Sequence, residues 1–290
     1  MFDFLVFDYY WLFPVSICIA TIAMSSGIGG AVFFSPLFLL VLGLSPTIAI
    51  GSALITELFG FSSGVISYRK AKLIDYDLAK KLLLFSIPAA IIGSFIADFF
   101  PGDFLKSIFA LGLLFIGWQL YSSYREEQKH KTSHKGVETE LETEHESELI
   151  DAEGKVYKYT FCDKRLGKFF AVMGGLFVGM ISVGLAEIEE YHLVARCKMP
   201  TPVAVATSIF TVVITVFFAS LGHIYHFTTA ADSSVLHQVI NIVIFTIPGV
   251  IIGGQIGPYM QKKVNPDLMK VSIAIVFVLI GIFMLYTIFR

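Results

Sequence analysis

The chain has 290 residues, 56% of them hydrophobic and only 15% charged, with a mean hydropathy of +0.75. A soluble domain carries roughly 25% charged residues, so the composition excludes an ordinary water-soluble globule. The net charge of -2 says nothing about nucleic acid, and no stripe of lysine and arginine suggests a nucleic-acid binder.

In chain order, apolar segments fall at about 11–42, 46–66, 79–99, 104–122, 167–195, 203–222, 236–258 and 266–289. Roughly 20 apolar residues at 1.5 Å each cross the hydrocarbon core of a bilayer, so the expected fold class is an all-α integral membrane protein. Met1 to Tyr10 hold no Lys or Arg, so the basic flank of a signal peptide is missing. Cys18, Cys162 and Cys197 are far apart, which argues against a disulfide framework or a zinc site. Between 123 and 166 lies one hydrophilic stretch with Glu138, Glu140, Glu142, Glu144, Glu146 and Glu148. Such a run reads as a solvated, partly disordered connector, because like charges repel and bury nothing. The expected organisation is a first transmembrane repeat at 1–122, the connector at 123–166 and a second repeat at 167–290.

The repeat is visible in the residues. Gly29 and Gly184 are 184 − 29 = 155 apart, and at that offset Ala49-Ile50-Gly51-Ser52 faces Ala204-Val205-Ala206-Thr207 and Thr56 faces Thr211. Ile87-Pro88 to Gly93 then matches Ile247-Pro248 to Gly253, and Asp103 to Lys106 matches Asp267 to Lys270. Basic residues favour the cytoplasmic side. The loop 68–81 holds Arg69, Lys70, Lys72, Lys80 and Lys81, whereas its counterpart near 222–236 holds none. The bias reverses in the next pair, because Lys106 stands alone where Lys262, Lys263 and Lys270 cluster. Equivalent loops on opposite sides are the signature of inverted-topology repeats, a common plan for secondary transporters.

That orientation makes segments 11–42 and 167–195 each start and end on one side. Each is expected to be a broken, re-entrant helical hairpin beside three full spans, in a multi-pass protein of the cell membrane with both termini outside and the connector cytoplasmic. Ser25-Ser26-Gly27-Ile28-Gly29-Gly30 and Ser182-Val183-Gly184 supply the breaks, since each Gly costs a helix about 1 kcal/mol relative to Ala. A break inside a bilayer is tolerated where it lines a protein-enclosed cavity, and a half-helix N-terminus there suits an anion. Ser26, Gly27, Gly29, Gly30, Ser182 and Gly184 are therefore candidate substrate-binding residues. Ser52 and Thr56 share one helix face, and Thr207, Ser208 and Thr211 repeat it, so these hydroxyls are candidates to converge on a central site. The alternative for each is a bond back to its own helix.

Intramembrane carboxylates mark ion and proton paths. Glu187, closest to Gly184, and Glu57, within an apolar helix, are the proton-coupling candidates. Glu189 and Glu190 are expected near the cytoplasmic mouth, paired with Arg196 or Lys198. His223, His226 and His237 are expected in an outside loop with a structural role, and Pro88 and Pro248 are expected to kink their helices. No P-loop, HExxH or nucleophile–base pair is present. The expectation is a transporter and no enzyme, with no cofactor, no metal and no nucleic-acid partner. Its partners would be the lipid bilayer and a small anionic substrate, with a second copy of the chain, in a homo-oligomer, as a further candidate.

Ser26-Gly27-Ile28-Gly29-Gly30 through Pro36, then Leu44, Ala49, Gly51 and Ser52, resembles the first-half signature of the TauE/SafE sulfite exporter family. Tyr68, Arg69 and Ile74-Asp75 look like its continuation. Gly184-Leu185-Ala186-Glu187, Pro200 and Val203 to Ser208 resemble a variant branch with a glutamate after the glycine. The resemblance covers the chain outside 123–166. It implies a permease for small sulfur-containing anions such as sulfite or organosulfonates, coupled to an ion gradient. Glu187 departs from the symmetric glycine pattern. Either it is protonated when an anion binds, or the substrate is another small solute.

Overall fold

The computed structural model describes residues 7–133, 147–159, 164–229, 234–261, 263–264 and 266–288. Ten α-helices are found among them: α1 (Leu12–Ser26), α2 (Ala31–Pro36), α3 (Pro46–Lys70), α4 (Tyr76–Ile96), α5 (Gly102–Ser133), α6 (Lys164–Ile181), α7 (Leu185–Tyr191), α8 (Thr201–Thr229), α9 (Ser234–Gln261) and α10 (Pro266–Ile288). Six of them, α3, α4, α5, α8, α9 and α10, are long and apolar enough to cross a membrane. The protein is an all-α integral membrane protein, and apolar side chains such as Leu84, Leu111, Trp118, Leu279 and Phe283 face outward, where lipid would receive them.

Local chemistry sets the helix ends. α3 begins with Pro46 at its first turn, where the missing N–H costs nothing. It ends on Arg69 and Lys70, which suit the negative end of the helix dipole. Asp75 caps α4, its Oδ1 accepting the N–H groups of Asp77 and Leu78 at 3.0 Å each. Pro88 and Pro248 lie inside continuous helices.

The first segment of each half is broken where the glycines and serines stand. α1 ends at Gly27 (φ 77°) and α6 at Ser182 (φ 59°), both left-handed, and 182 − 27 = 155. After each break a short helix, α2 or α7, runs into a π-helical turn, Leu37–Val41 or His192–Arg196. These turns close on Gly43 (φ 64°) and Lys198 (φ 54°), again 155 apart. Each break folds the chain back. Phe177 of α6 lies beside Gly184, and Gly174 lies against Leu185 of α7. In the first half Ala20 and Ala23 share one small void with Gly30 and Phe34.

Packing follows the same exchange between halves. α1 lies on α9 as α6 lies on α4, α3 on α9 as α8 on α4, while α3 meets α8 and α5 meets α10. The seams are lined by glycine, as close helix packing in a membrane requires. A Cβ at Gly249 or Gly253 would strike the carbonyl of Phe13 or Ile17 on α1. One at Gly175 or Gly179 would strike that of Ser86 or Ala90 on α4. α3 and α8, the most buried spans, run antiparallel. Gly51 near the start of α3 abuts His223 and Phe227 near the end of α8. At the other end the N–H of Asp75 donates to Thr207 Oγ1 at 3.0 Å.

Several expectations are corrected. The connector is more than a loop: α5 continues to Ser133, and Ser147–Ile150 (β1) pairs antiparallel with Val156–Tyr159 (β2). The hairpin packs on the α3–α4 loop. The N–H of Ala152 donates to Ala71 O at 3.0 Å, and the buried Tyr159 donates to Asp75 Oδ2 at 2.8 Å. Tyr159 is buried among Leu78, Leu82, Leu193 and Val203, so apolar β residues flanking the acidic run override its charge pattern. Of that run, Glu148 lies on β1, and residues 138–146 lie outside the described residues. The histidines are on helices: His223 on α8 is buried, with Nε2 2.9 Å from Gly179 O, and His237 is on α9. Cys197 is disulfide-bonded, against the expectation from cysteine spacing.

Candidate functional site

The two breaks meet in the middle of the bundle, and carboxylates occupy their N–H groups. A half-helix exposes unsatisfied N–H groups at its start. Ala31 N–H, at the start of α2, donates to Glu57 Oε1 at 3.1 Å. Gly184 N–H, at the start of α7, donates to Glu187 Oε2 at 3.1 Å, and Gly29 N–H donates to Glu187 Oε1 at 3.1 Å. Glu187 thus takes one donor from each break. Gly29 stands between the two carboxylates: a Cβ there would lie 3.0 Å from Glu57 Oε1 and 3.2 Å from Glu187 Oε1. A Cβ on Gly27 would lie 3.1 Å from Glu190 Oε2. The breaks are also joined directly, by Ser35 Oγ and Ser182 Oγ at 2.6 Å.

Among the expected site residues, Ser26, Gly27, Gly29, Gly30, Ser182, Gly184, Glu57 and Glu187 come together here. Ser26 Oγ donates to Ala23 O at 3.0 Å and accepts the N–H of Ile28 at 3.4 Å, which closes the turn. The α3 and α8 hydroxyls do not converge. Thr56 Oγ1 bonds Thr246 Oγ1 of α9 at 2.8 Å, Thr211 donates to Thr207 O at 2.9 Å, and Thr207 holds the α3–α4 loop. Antiparallel α3 and α8 place the two pairs at different depths, so Thr56 bonds α9 while Thr211 turns back to its own helix. Ser52 and Ser208 are buried, and their hydroxyls have no hydrogen-bond partner among the described residues. Glu189 and Glu190 do not pair with Arg196 or Lys198. Glu189 is 2% exposed with neither carboxylate oxygen hydrogen-bonded among the described residues, and Glu190 turns inward to Gly27.

Two cavities reach the crossing. One of about 310 Å³ is lined by Ile108, Gly112 and Phe115 of α5, Phe177 and Ile181 of α6, and Gly184 and Glu187. The other, about 90 Å³, holds Ser26, Gln119, Glu187, Glu190, Tyr191 and Lys270. Ile116, Gln119 and Glu187 line both. Along α5 the larger cavity extends toward Gly102 and the smaller toward the end where the hairpin and the basic α3–α4 loop lie. Gln119 Nε2 donates to Glu187 O at 3.4 Å.

This arrangement agrees with the kinship of the chain. The profile described as sulfite exporter TauE/SafE matches residues 12–284. The chain belongs to that family. The probable membrane transporter protein YunE of Bacillus subtilis (strain 168) is 23% identical over 273 residues, 92% of this chain and 93% of that protein. The probable membrane transporter protein YjnA of the same organism is 26% identical over 249 residues, 82% of this chain and 86% of that protein. No solved structure matches the chain. For this TauE/SafE member, sequence reasoning missed Gln119, Ser35 and Lys270 as contributors to the crossing and its walls. Gln119 had a signal, as a lone amide in an apolar span. Lys270 had another, as the repeat mate of Lys106.

Proposed function

We propose that this protein is a secondary transporter of the cell membrane that carries small sulfur-containing anions, such as sulfite or an organosulfonate, coupled to protons through Glu187. The observation that supports this best is the double position of Glu187, which accepts N–H groups from both breaks and lines both cavities. The N–H groups of Gly29 and Gly184 would suit an oxyanion, and the Glu187 carboxylate holds them in its absence. A proton on Glu187 weakens it as an acceptor and leaves the donors to a substrate anion. Anion and proton would then load together, and a buried charge never stands alone. Ser26, Gly27, Gly30 and Ser182 shape the same crossing. Ser52 and Ser208 keep buried hydroxyls for a passing solute, and Glu57 keeps α2 capped throughout.

The antiparallel packing of α3 and α8, and the exchange of seams between halves, support two inverted repeats that rock about this crossing to open one cavity at a time. The deciding experiment is flux of labelled sulfite and methanesulfonate in proteoliposomes, with and without a pH gradient. Saturable flux that follows the gradient, and that loses its pH response in Glu187→Gln, is expected. Flux of neither anion removes the substrate assignment, and flux that fails to saturate marks a passive channel.

A further inference from the structure

The smaller cavity contains a group that the transport reading above has not used. Lys270, in the first turns of α10, lines it together with Ser26, Gln119, Glu187, Glu190 and Tyr191, and it is the one cation among the described residues lining either cavity at the crossing. Glu190 lines the same cavity, and its Oε2 lies against Gly27 of the break. The walls come from α5, the first break, α7 and α10, so both halves of the chain build them. The repeat mate of Lys270, Lys106, reaches Asp103 at 3.5 Å at the start of α5 and lines neither cavity.

We propose that Lys270 is the counter-charge that holds the transported anion in the smaller cavity, and that this cavity selects a compact oxyanion over a bulky sulfonate. The assignment rests on the anion-transport reading. A lysine ammonium is a compact point charge with three donors and binds oxyanions as such. In the empty protein the Glu190 carboxylate stands in the same cavity. An entering oxyanion takes that place, with the Gln119 amide and the Ser26 hydroxyl within the same walls. Size sets the second half of the proposal. A volume of about 90 Å³ is well below the roughly 300 Å³ at which pockets begin to enclose drug-sized organic ligands, whereas an inorganic oxyanion has only a few heavy atoms. The neighbouring 310 Å³ cavity has that room, but its walls are nearly all apolar and it lacks a cation.

The test is sulfite uptake in proteoliposomes, with 4-toluenesulfonate as competitor. Lys270→Met should raise the sulfite KM at least about tenfold, the size of a lost charge-assisted contact, and Lys270→Arg should retain most of the affinity. Lys106→Met should leave KM unchanged, and 4-toluenesulfonate should compete poorly in the wild type. To separate charge from folding, Lys270→Cys in a Cys18→Ser background is treated with 2-aminoethyl methanethiosulfonate, which restores an ammonium, or with the neutral methyl reagent. Recovery with the first alone supports the proposal. An unchanged KM in Lys270→Met, or recovery with both reagents, overturns it while leaving the transporter standing. Equal competition by 4-toluenesulfonate overturns the size selection. A wild type that moves sulfite and sulfonate not at all overturns both this assignment and the reading beneath it.

Discussion

At the scale of single residues, two positions occupy the same left-handed backbone with different chemistry. Gly43 (φ 64°) and Lys198 (φ 54°) close equivalent turns, and a Cβ on Gly43 would meet nothing within 4 Å. Gly43→Ala should therefore cost only the backbone term, about 1–2 kcal/mol, whereas Lys198→Gly should be neutral or stabilising. Thermal unfolding in detergent checks both. Gly29 is a different case, because its backbone is ordinary and its space is taken by the oxygens of Glu57 and Glu187. Gly29→Ala should fold, with a small loss of stability, and should slow transport more than tenfold by forcing the carboxylates off their N–H donors. An unaltered rate would show that the carboxylate positions are irrelevant to transport. The glycines and Glu187 were legible in the sequence because their conformational and charge preferences are local. The role of Glu57 as cap of α2 was not, since its donor, Ala31, is on another element.

At the scale of elements, the glycine seams and the β-hairpin carry the tests. A Cβ at Gly179 would meet the carbonyl of Ala90 on α4, and backbone cannot swing aside as a side chain can. Gly179→Ala should cost about 1–3 kcal/mol, the range for overpacking, read as a lower unfolding temperature. The hairpin is held by Tyr159. Burial and the hydrogen bond to Asp75 push the Tyr159 hydroxyl above its ordinary value, so it remains a donor at every physiological pH. Tyr159→Phe should loosen the hairpin by about 1.5–3 kcal/mol, the scale of a hydrogen bond to a charged group. Faster proteolysis between β1 and β2 would show it, while unchanged proteolysis would place the attachment in apolar packing instead. Helix breaks and spans could be read from composition over a window of residues. The hairpin could not, because its strands are four residues each beside a run whose charge suggested disorder, and their stability comes from the bundle end they cover.

At the scale of the whole molecule, orientation is the property to measure. The hairpin, the basic α3–α4 loop and the end of α9 lie together: Tyr68, Asp151, Tyr157, Gln255 and Tyr259 line one cavity, and Lys263 stacks over Tyr259 at 4.3 Å. By the positive-inside rule that end is expected to face the cytoplasm. Single cysteines at Lys72 and at Thr228, just past or at the ends of the equivalent helices α3 and α8, in a Cys18→Ser background, should react with an impermeant thiol reagent from opposite faces of oriented vesicles. Labelling from one face would refute the inverted arrangement. The sequence by itself determined the spans, the repeat, the places where helices break and the carboxylate closest to one break. These follow from hydropathy, glycine conformation and charge, which act within a few residues. Only the tertiary structure decided that Glu187 reaches across 158 positions to Gly29. It alone showed that Thr56 bonds α9, that Thr207 accepts from the α3–α4 loop and Thr211 turns back to its own helix, and that Lys270 and Gln119 stand in one cavity. Those outcomes depend on which helix faces meet and at what depth. Dense packing of the folded bundle settles that, and no short stretch of sequence carries it.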